Sequence, residues 1–302
     1  MVRYVWSVPL IYVKQNIMET TTLKKFPYQK ALIALIKKEV PLHSVYVISV
    51  YKEKQTQNVY LFPESVNSQK VITYTLLLIT HKPIPKNMQD FMDTLYNNMQ
   101  QRCKVYAIVY TLPKVKAKLN DGCRFLSKVL NQTPCMYQED DALSKLGLFG
   151  LSFHKHVYQR IQEEWNSRMR RANCLISLVD VVDVIGDSTS RLAIMHHALE
   201  QICMALLYVF WEFKPQHYSL SYMLHLCSLF TQLPETVFPQ KSYGLQRMYY
   251  ILCNAHHIMR FKAHSEFSEK DVDKAFNRCE RFFEEAKGIG EGQLEYLEGI
   301  HC

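Results

Sequence analysis

Apolar residues recur at every third or fourth position in the middle of the chain, at Leu192, Met195, Leu199, Ile202, Cys203, Leu206, Val209, Phe210 and Phe213. That spacing places them on one continuous face and predicts a long helix over residues 192–213. The helix must end at Lys214-Pro215, because proline has no amide hydrogen and disfavours helical geometry in the residue before it. A second helix follows His217, with Leu220, Met223, Leu224 and 226–229 facing its partner. Nearer the amino terminus the pattern changes character. A helix over 28–38 ends before Pro41, and the β-branched and aromatic runs 44–51, 59–62, 71–80 and 105–111 read as strands, with a helix over 88–101 between the last two. The unbroken apolar stretch 76–79 predicts a central strand covered on both faces.

The remaining segments complete an α+β plan. Residues 121–130 predict a turn and helix, and 134–137 a short strand. A boundary falls at about 140–152, where the acidic 138–141 gives way to a stretch bearing Gly147 and Gly150. Residues 154–171 predict a connecting helix and 172–185 another, with Gly186-Asp187-Ser188-Thr189 as a break and N-cap for the central helix. Pro234 and Pro239 mark a loop, helices follow over 243–259 and 269–287, and Ser268 with Asp271 opens the second in capping-box form. The expected organisation is a leader over 1–26, a small α/β domain over 27–145, an all-α bundle over 152–290 and a tail over 291–302.

Composition narrows the class. With 302 residues, 48% hydrophobic and 21% charged, the chain has room for two ordinary globular domains. No apolar run reaches bilayer-spanning length, since 192–213 is interrupted by His196, His197 and Glu200, so no membrane partner is expected. Nine cysteines without a Cys-x-x-Cys pair point to a reduced, cytoplasmic protein. Charge is uneven: residues 1–150 hold 20 Lys+Arg against 10 Asp+Glu, and residues 151–302 hold 16 against 18. The basic half can face an anion, although scattered lysines equally describe a solvated surface.

Two resemblances rest on particular residues. Met195-His196-His197-Ala198-Leu199-Glu200, followed by Val209-Phe210-Trp211-Glu212-Phe213-Lys214-Pro215-Gln216-His217-Tyr218-Ser219-Leu220, resembles the helix, Pro-x-His-x-x-Leu turn and next helix of the HEPN domain. HEPN domains are helical bundles linked to nucleotide and RNA biology. The likeness spans about residues 170–290, with Arg260-Phe261-Lys262 where the family usually shows Arg-Tyr. The helix and strands of the first half resemble the minimal nucleotidyltransferase domain that accompanies HEPN domains in bacteria. Its catalytic form needs Gly-Ser on the turn after the first strand and then two aspartates for magnesium. Here the first glycine is Gly122 and the first aspartate Asp90, with Tyr74-Thr75-Leu76 at the metal position. Magnesium-dependent nucleotidyl transfer is therefore not expected, and Lys52 and Lys54 near the phosphate turn are what remains to meet an anion.

The resemblance also implies where chemistry would lie. Many HEPN proteins are ribonucleases using an arginine and a histidine with four to six residues between them. Arg191 and His196 match formally, but five positions along a helix turn a side chain by roughly 140°. Arg260 and His264, with Arg247 and His257 nearby, are the candidate catalytic pair: only three residues lie between them, which departs from that spacing, but four positions share a helical face. His217 is either a turn residue or a ligand contact, and His196 and Glu200 are either ligand contacts or a hydrogen-bonded pair one turn apart. The histidine pairs lack cysteine or carboxylate partners at zinc-site spacing, so no metal and no cofactor are expected. The leading expectation is a regulatory module binding a nucleotide, RNA or a partner protein, in the setting of toxin–antitoxin or defence systems that the resemblance implies. The alternative is a metal-independent ribonuclease. A homodimer through residues 190–262 is expected, with Tyr208, Trp211, Tyr222 and Tyr249 flanking the interface, although a buried core explains the same aromatic stripe.

Overall fold

The structure is a computed structural model that describes residues 26–57, 67–84, 87–143, 155–182, 187–261 and 267–301. The leader over 1–25, the strand expected over 59–62 and most of the expected boundary, residues 144–154, lie outside the described residues.

The chain is α+β, a four-stranded mixed sheet in its first half and helices in its second. Strand β1 (Leu42–Gln57) pairs antiparallel with β2 (Asn67–Thr80), and β2 pairs parallel with β3 (Cys103–Thr111). Helix α2 (Met88–Asn98) makes the crossover that a parallel pair requires. The short β4 (Cys135–Gln138) pairs antiparallel with β1, giving the order β3-β2-β1-β4. Helix α1 (Gln29–Glu39) precedes the sheet, and α3 (Leu112–Asn120) and α4 (Arg124–Gln132) follow β3.

Strand β2 is central, and Leu76, Leu77, Leu78 and Ile79 are all fully buried, as their unbroken apolar run requires. Successive side chains leave a strand on opposite faces. Tyr74 accordingly donates to the carbonyl of Pro27 beside α1, and its neighbour Thr75 meets His225 of the helical half.

That second half comprises α5 (Lys155–Val182), α6 (Ser188–Trp211), α7 (Leu220–Cys227), α8 (Leu233–Val237), α9 (Tyr243–Phe261) and α10 (Glu269–His301). Helix α6 packs against α5, α7, α9 and α10. Among the described residues it alone is long and apolar enough to cross a membrane, and it is mostly buried inside the protein. Asp187 caps it by accepting from the Thr189 amide. It ends ahead of Pro215, where Glu212 turns left-handed at φ 50°. Ser268 and Asp271 cap α10 reciprocally, the serine hydroxyl accepting from the Asp271 amide and the carboxylate from the Ser268 amide. Gly290 of α10 is obligatory: a Cβ there would lie 1.9 Å from the Trp165 ring of α5.

The two halves share one connected apolar core. Trp211 stacks on Phe125 at 5.0 Å between ring centres, Phe213 meets Tyr110 edge-on, and the Tyr222 hydroxyl donates to the Ala107 carbonyl.

Several expectations need correction. The helices expected over 154–171 and 172–185 are, over their described residues, the single helix α5 (Lys155–Val182). Residues 112–120, not expected to be helical, form α3 with Pro113 in its first turn. Pro234 lies in the first turn of α8 rather than in open loop. The tail over 291–302 continues α10 to His301, because Leu294 and Leu297 prolong its buried face. Strand β1 runs on past Tyr51 to Gln57, so Lys52 stands opposite Ile72 in a strand pair and not on a turn.

Candidate functional site

A cleft of about 1080 Å³ opens where the sheet meets the helical half. The sheet contributes Ser49 and Tyr51 from β1 and Lys104 and Tyr106 from β3, while α2 adds Asp93 and Tyr96. Across the opening stand Tyr222 and His225 of α7, with Glu235 and Lys241 towards the rim.

At its base is a chain of polar groups. The Ser49 hydroxyl donates to Thr75 Oγ1 at 2.9 Å, and Thr75 Oγ1 lies 2.9 Å from His225 Nε2. Thr75 is fully buried, and the His225 ring lies flat on Tyr106 with 3.6 Å between ring centres. Burial, reinforced by the nearby positive charge of Lys104, lowers the His225 pKa to about 4. The imidazole is thus neutral at neutral pH, and the Thr75 hydrogen is free to be donated to Nε2. Lys104 also places its ammonium over the Tyr106 ring at 4.8 Å.

Sequence reasoning marked the neighbourhood of this cleft without its chemistry. Thr75 lies at the position where the nucleotidyltransferase resemblance would seat the metal, and the fold hydrogen-bonds it to Ser49. His225 was missed, because one histidine among apolar residues on a short helix has no local signature. Lys104 and Tyr106 alternate along β3 and announce only a strand.

The other expected residues lie elsewhere. Lys52 is exposed on β1, outside the cleft lining. Arg260 is exposed in the last turn of α9, and its expected partner His264 lies outside the described residues. Arg247 pairs with Asp271 at 3.3 Å, and the His257 ring packs 4.6 Å from that of Phe261. Arg191 is a buried side chain 3.6 Å from Asp273, within α6 throughout, so it and His196 do not share a face. His217 packs edge-on against Tyr222, and its Nε2 is enclosed with no hydrogen-bond partner. Burial pushes its pKa down, against the opposing pull of Asp93. Of the aromatic residues expected to flank a dimer interface, Tyr208 and Tyr222 are buried within the chain, and Trp211 is packed on Phe125 and Phe230. These residues serve the internal core.

His196 and Glu200 do come together, on the α6 face towards α9. His196 is fully buried, its Nδ1 2.7 Å from the Leu252 carbonyl and its Nε2 3.2 Å from Glu200 Oε1. The second approach is short but lies outside hydrogen-bonding angles, so Nε2 has no hydrogen-bond partner. His197 Nδ1 is 2.8 Å from Glu200 Oε2, and the His256 ring of α9 lies 4.4 Å from that of His196, centre to centre. The carboxylate partner that the histidine pairs lacked in sequence is therefore Glu200. Burial works to raise the Glu200 pKa, but His196 and His197, when protonated, outweigh it and hold the carboxyl at about 2.

No family model and no curated protein matches this chain. Among solved structures it is similar to a nucleotidyltransferase-like protein from Exiguobacterium sibiricum 255-15, at 12% sequence identity and a TM-score of 0.30, over 88% of this chain and 76% of that one. Likeness at that level assigns neither fold nor activity.

Proposed function

We propose that the protein is a nucleotide-binding regulatory module that holds its ligand between sheet and helices and performs no magnesium-dependent transfer. The cleft carries this reading. It offers the exposed ring of Tyr51 and the half-buried ring of Tyr96 to a base, and the amino groups of Lys104 and Lys241 to phosphate. Stacking of a base on an aromatic side chain contributes about 1–3 kcal/mol. Lysine meets phosphate as a point charge, and Asp93 and Gln89 of α2 offer polar partners to ribose hydroxyls.

Because the walls come from both halves, a bound nucleotide would bridge them and alter what the helices present to a partner. The absence of any aspartate before Asp90 and any glycine before Gly122 supports binding over transfer, since magnesium needs hard anionic oxygens and a triphosphate needs a close backbone approach. The HEPN resemblance of residues 170–290 supports a nucleotide or an RNA end as the ligand class.

Equilibrium titration of the full chain with ATP, GTP and a short RNA, in magnesium and in chelator, tests the reading. Saturable binding is expected in both conditions, weakened roughly tenfold by Lys104→Ala, which corresponds to about 1.4 kcal/mol. Magnesium-dependent transfer of labelled nucleotide to any acceptor, lost on substituting cleft residues, would overturn it. RNA cleavage that persists in chelator and vanishes in Arg260→Ala would replace it with the ribonuclease reading.

A further inference from the structure

The His196–Glu200 contact poses a problem of donors and acceptors. A carbonyl oxygen only accepts, so His196 Nδ1, 2.7 Å from the Leu252 carbonyl, carries the ring hydrogen and donates it. In the neutral imidazole Nε2 is then a bare lone pair, and it lies 3.2 Å from a carboxylate oxygen that also only accepts. Two acceptors held this close in a buried place need a cation between them.

The geometry points to a binding site for a divalent transition-metal ion of the zinc class, held by His196 Nε2, His197 Nδ1 and the Glu200 carboxylate, with His256 as the fourth ligand. None of these four residues lines the cleft. The ligand atoms of His196, His197 and Glu200 all lie within 4.8 Å of one another. Metal bonds of about 2.0–2.1 Å to nitrogen and oxygen imply a tetrahedral edge of about 3.3–3.4 Å. The 3.2 Å separation of His196 Nε2 and Oε1 is close to that edge, whereas the 2.8 Å between His197 Nδ1 and Oε2 is a hydrogen bond whose proton the ion would displace. Imidazole nitrogen with one carboxylate favours zinc, nickel, cobalt or copper over magnesium or calcium.

The surroundings have the form of a supported ligand shell. A ligating histidine characteristically donates its other ring hydrogen to a carbonyl or carboxylate, as His196 does to Leu252. Positions 196 and 200 are one turn apart on α6, with 197 and 200 three apart, so a single helix directs three ligands to one place. His256 arrives from α9 and is exposed, free to rotate onto the ion. The ion would therefore clamp α6 to α9, with His197 and His256 leaving one side open to water.

The test uses the full chain freed of metal by chelator, with Cys135→Ser and Cys174→Ser, the thiols exposed among the described residues, and Cys302→Ser, because thiolates bind zinc well. Titration with Co2+ should saturate at one equivalent, with visible d–d absorption, no thiolate charge-transfer band and a raised Tm. Glu200→Gln and His256→Ala should each weaken binding by at least roughly 100-fold, more than the loss of an outer-shell group. His257→Ala, on the neighbouring α9 position, should leave affinity unchanged. Absence of saturable binding, or affinity that survives Glu200→Gln, overturns the site, and the cation between the two acceptors is then a proton.

Discussion

His225 at the base of the cleft and His196 between α6 and α9 are both enclosed imidazoles, yet their neighbours ask opposite things of them. The Nε2 of His225 faces a hydroxyl, and a hydroxyl can turn its hydrogen towards a lone pair. A neutral ring is satisfied there. The Nε2 of His196 faces a carboxylate, which has no hydrogen to give. A neutral ring is in conflict there, and a cation resolves it. Burial alone does not tell what a histidine does; the donor or acceptor opposite its second nitrogen does.

Four perturbations separate the two imidazoles energetically. The largest effect concerns pH. The His225 pKa lies at about 4 in the folded protein, against about 6.5 in an unfolded chain. The folded value is the depressed one, so below about pH 6.5 the unfolded state binds more protons at this residue and its contribution to stability falls as pH drops, until that loss is complete near pH 4. That difference corresponds to roughly 3–4 kcal/mol as an upper limit. Urea unfolding across this window should show the slope, and His225→Asn should flatten it. His217, whose pKa is also lowered, contributes a slope of the same sign that remains in the variant.

Next comes a perturbation that touches neither imidazole. In Gly290→Ala the new methyl meets the buried Trp165 ring, and overpacking should cost about 2–3 kcal/mol despite alanine's better helix propensity. Gly292→Ala, with nothing within 4 Å, should instead stabilise by up to about 1 kcal/mol. If Gly290→Ala also changed the slope between pH 6.5 and 4, that slope would report general packing rather than His225.

Thr75→Val keeps the shape and removes the hydroxyl, stranding His225 Nε2 and the Ser49 hydroxyl. A loss of about 2 kcal/mol is expected. With no donor to favour the neutral ring, the His225 pKa should rise, which NMR titration of the ring protons would detect. The smallest effect belongs to Glu200→Gln in chelator at pH 8. An amide can donate to His196 Nε2 where the carboxylate could not, so stability should stay within about 1 kcal/mol of the parent. A loss of about 3 kcal/mol or more would instead mark a broken imidazolium–carboxylate pair.

What the sequence determined by itself are the features written within a few residues of one another. The apolar period of 192–213 became α6, the run 76–79 became the buried centre of β2, and Asp187 and Ser268 mark starts that lie where they stand, while α6 ends at Trp211, ahead of Pro215. Helical faces, strand alternation and caps arise from hydrogen bonds and side-chain directions that span at most a turn or two, so the local pattern records them. Where a longer-range contact decides, the pattern was silent or misleading. Lys52 was placed on a turn because pairing with β2 extends β1, and the end of α10 was read as a tail because the partners of Leu294 and Leu297 are distant. Both sites belong to this second kind. Thr75 and His225 meet across 150 positions, and His196 meets the Leu252 carbonyl across 56. Only the packing of the helices onto the sheet, and of α9 onto α6, determines which polar atom faces each imidazole, and that atom fixes the charge the ring must carry.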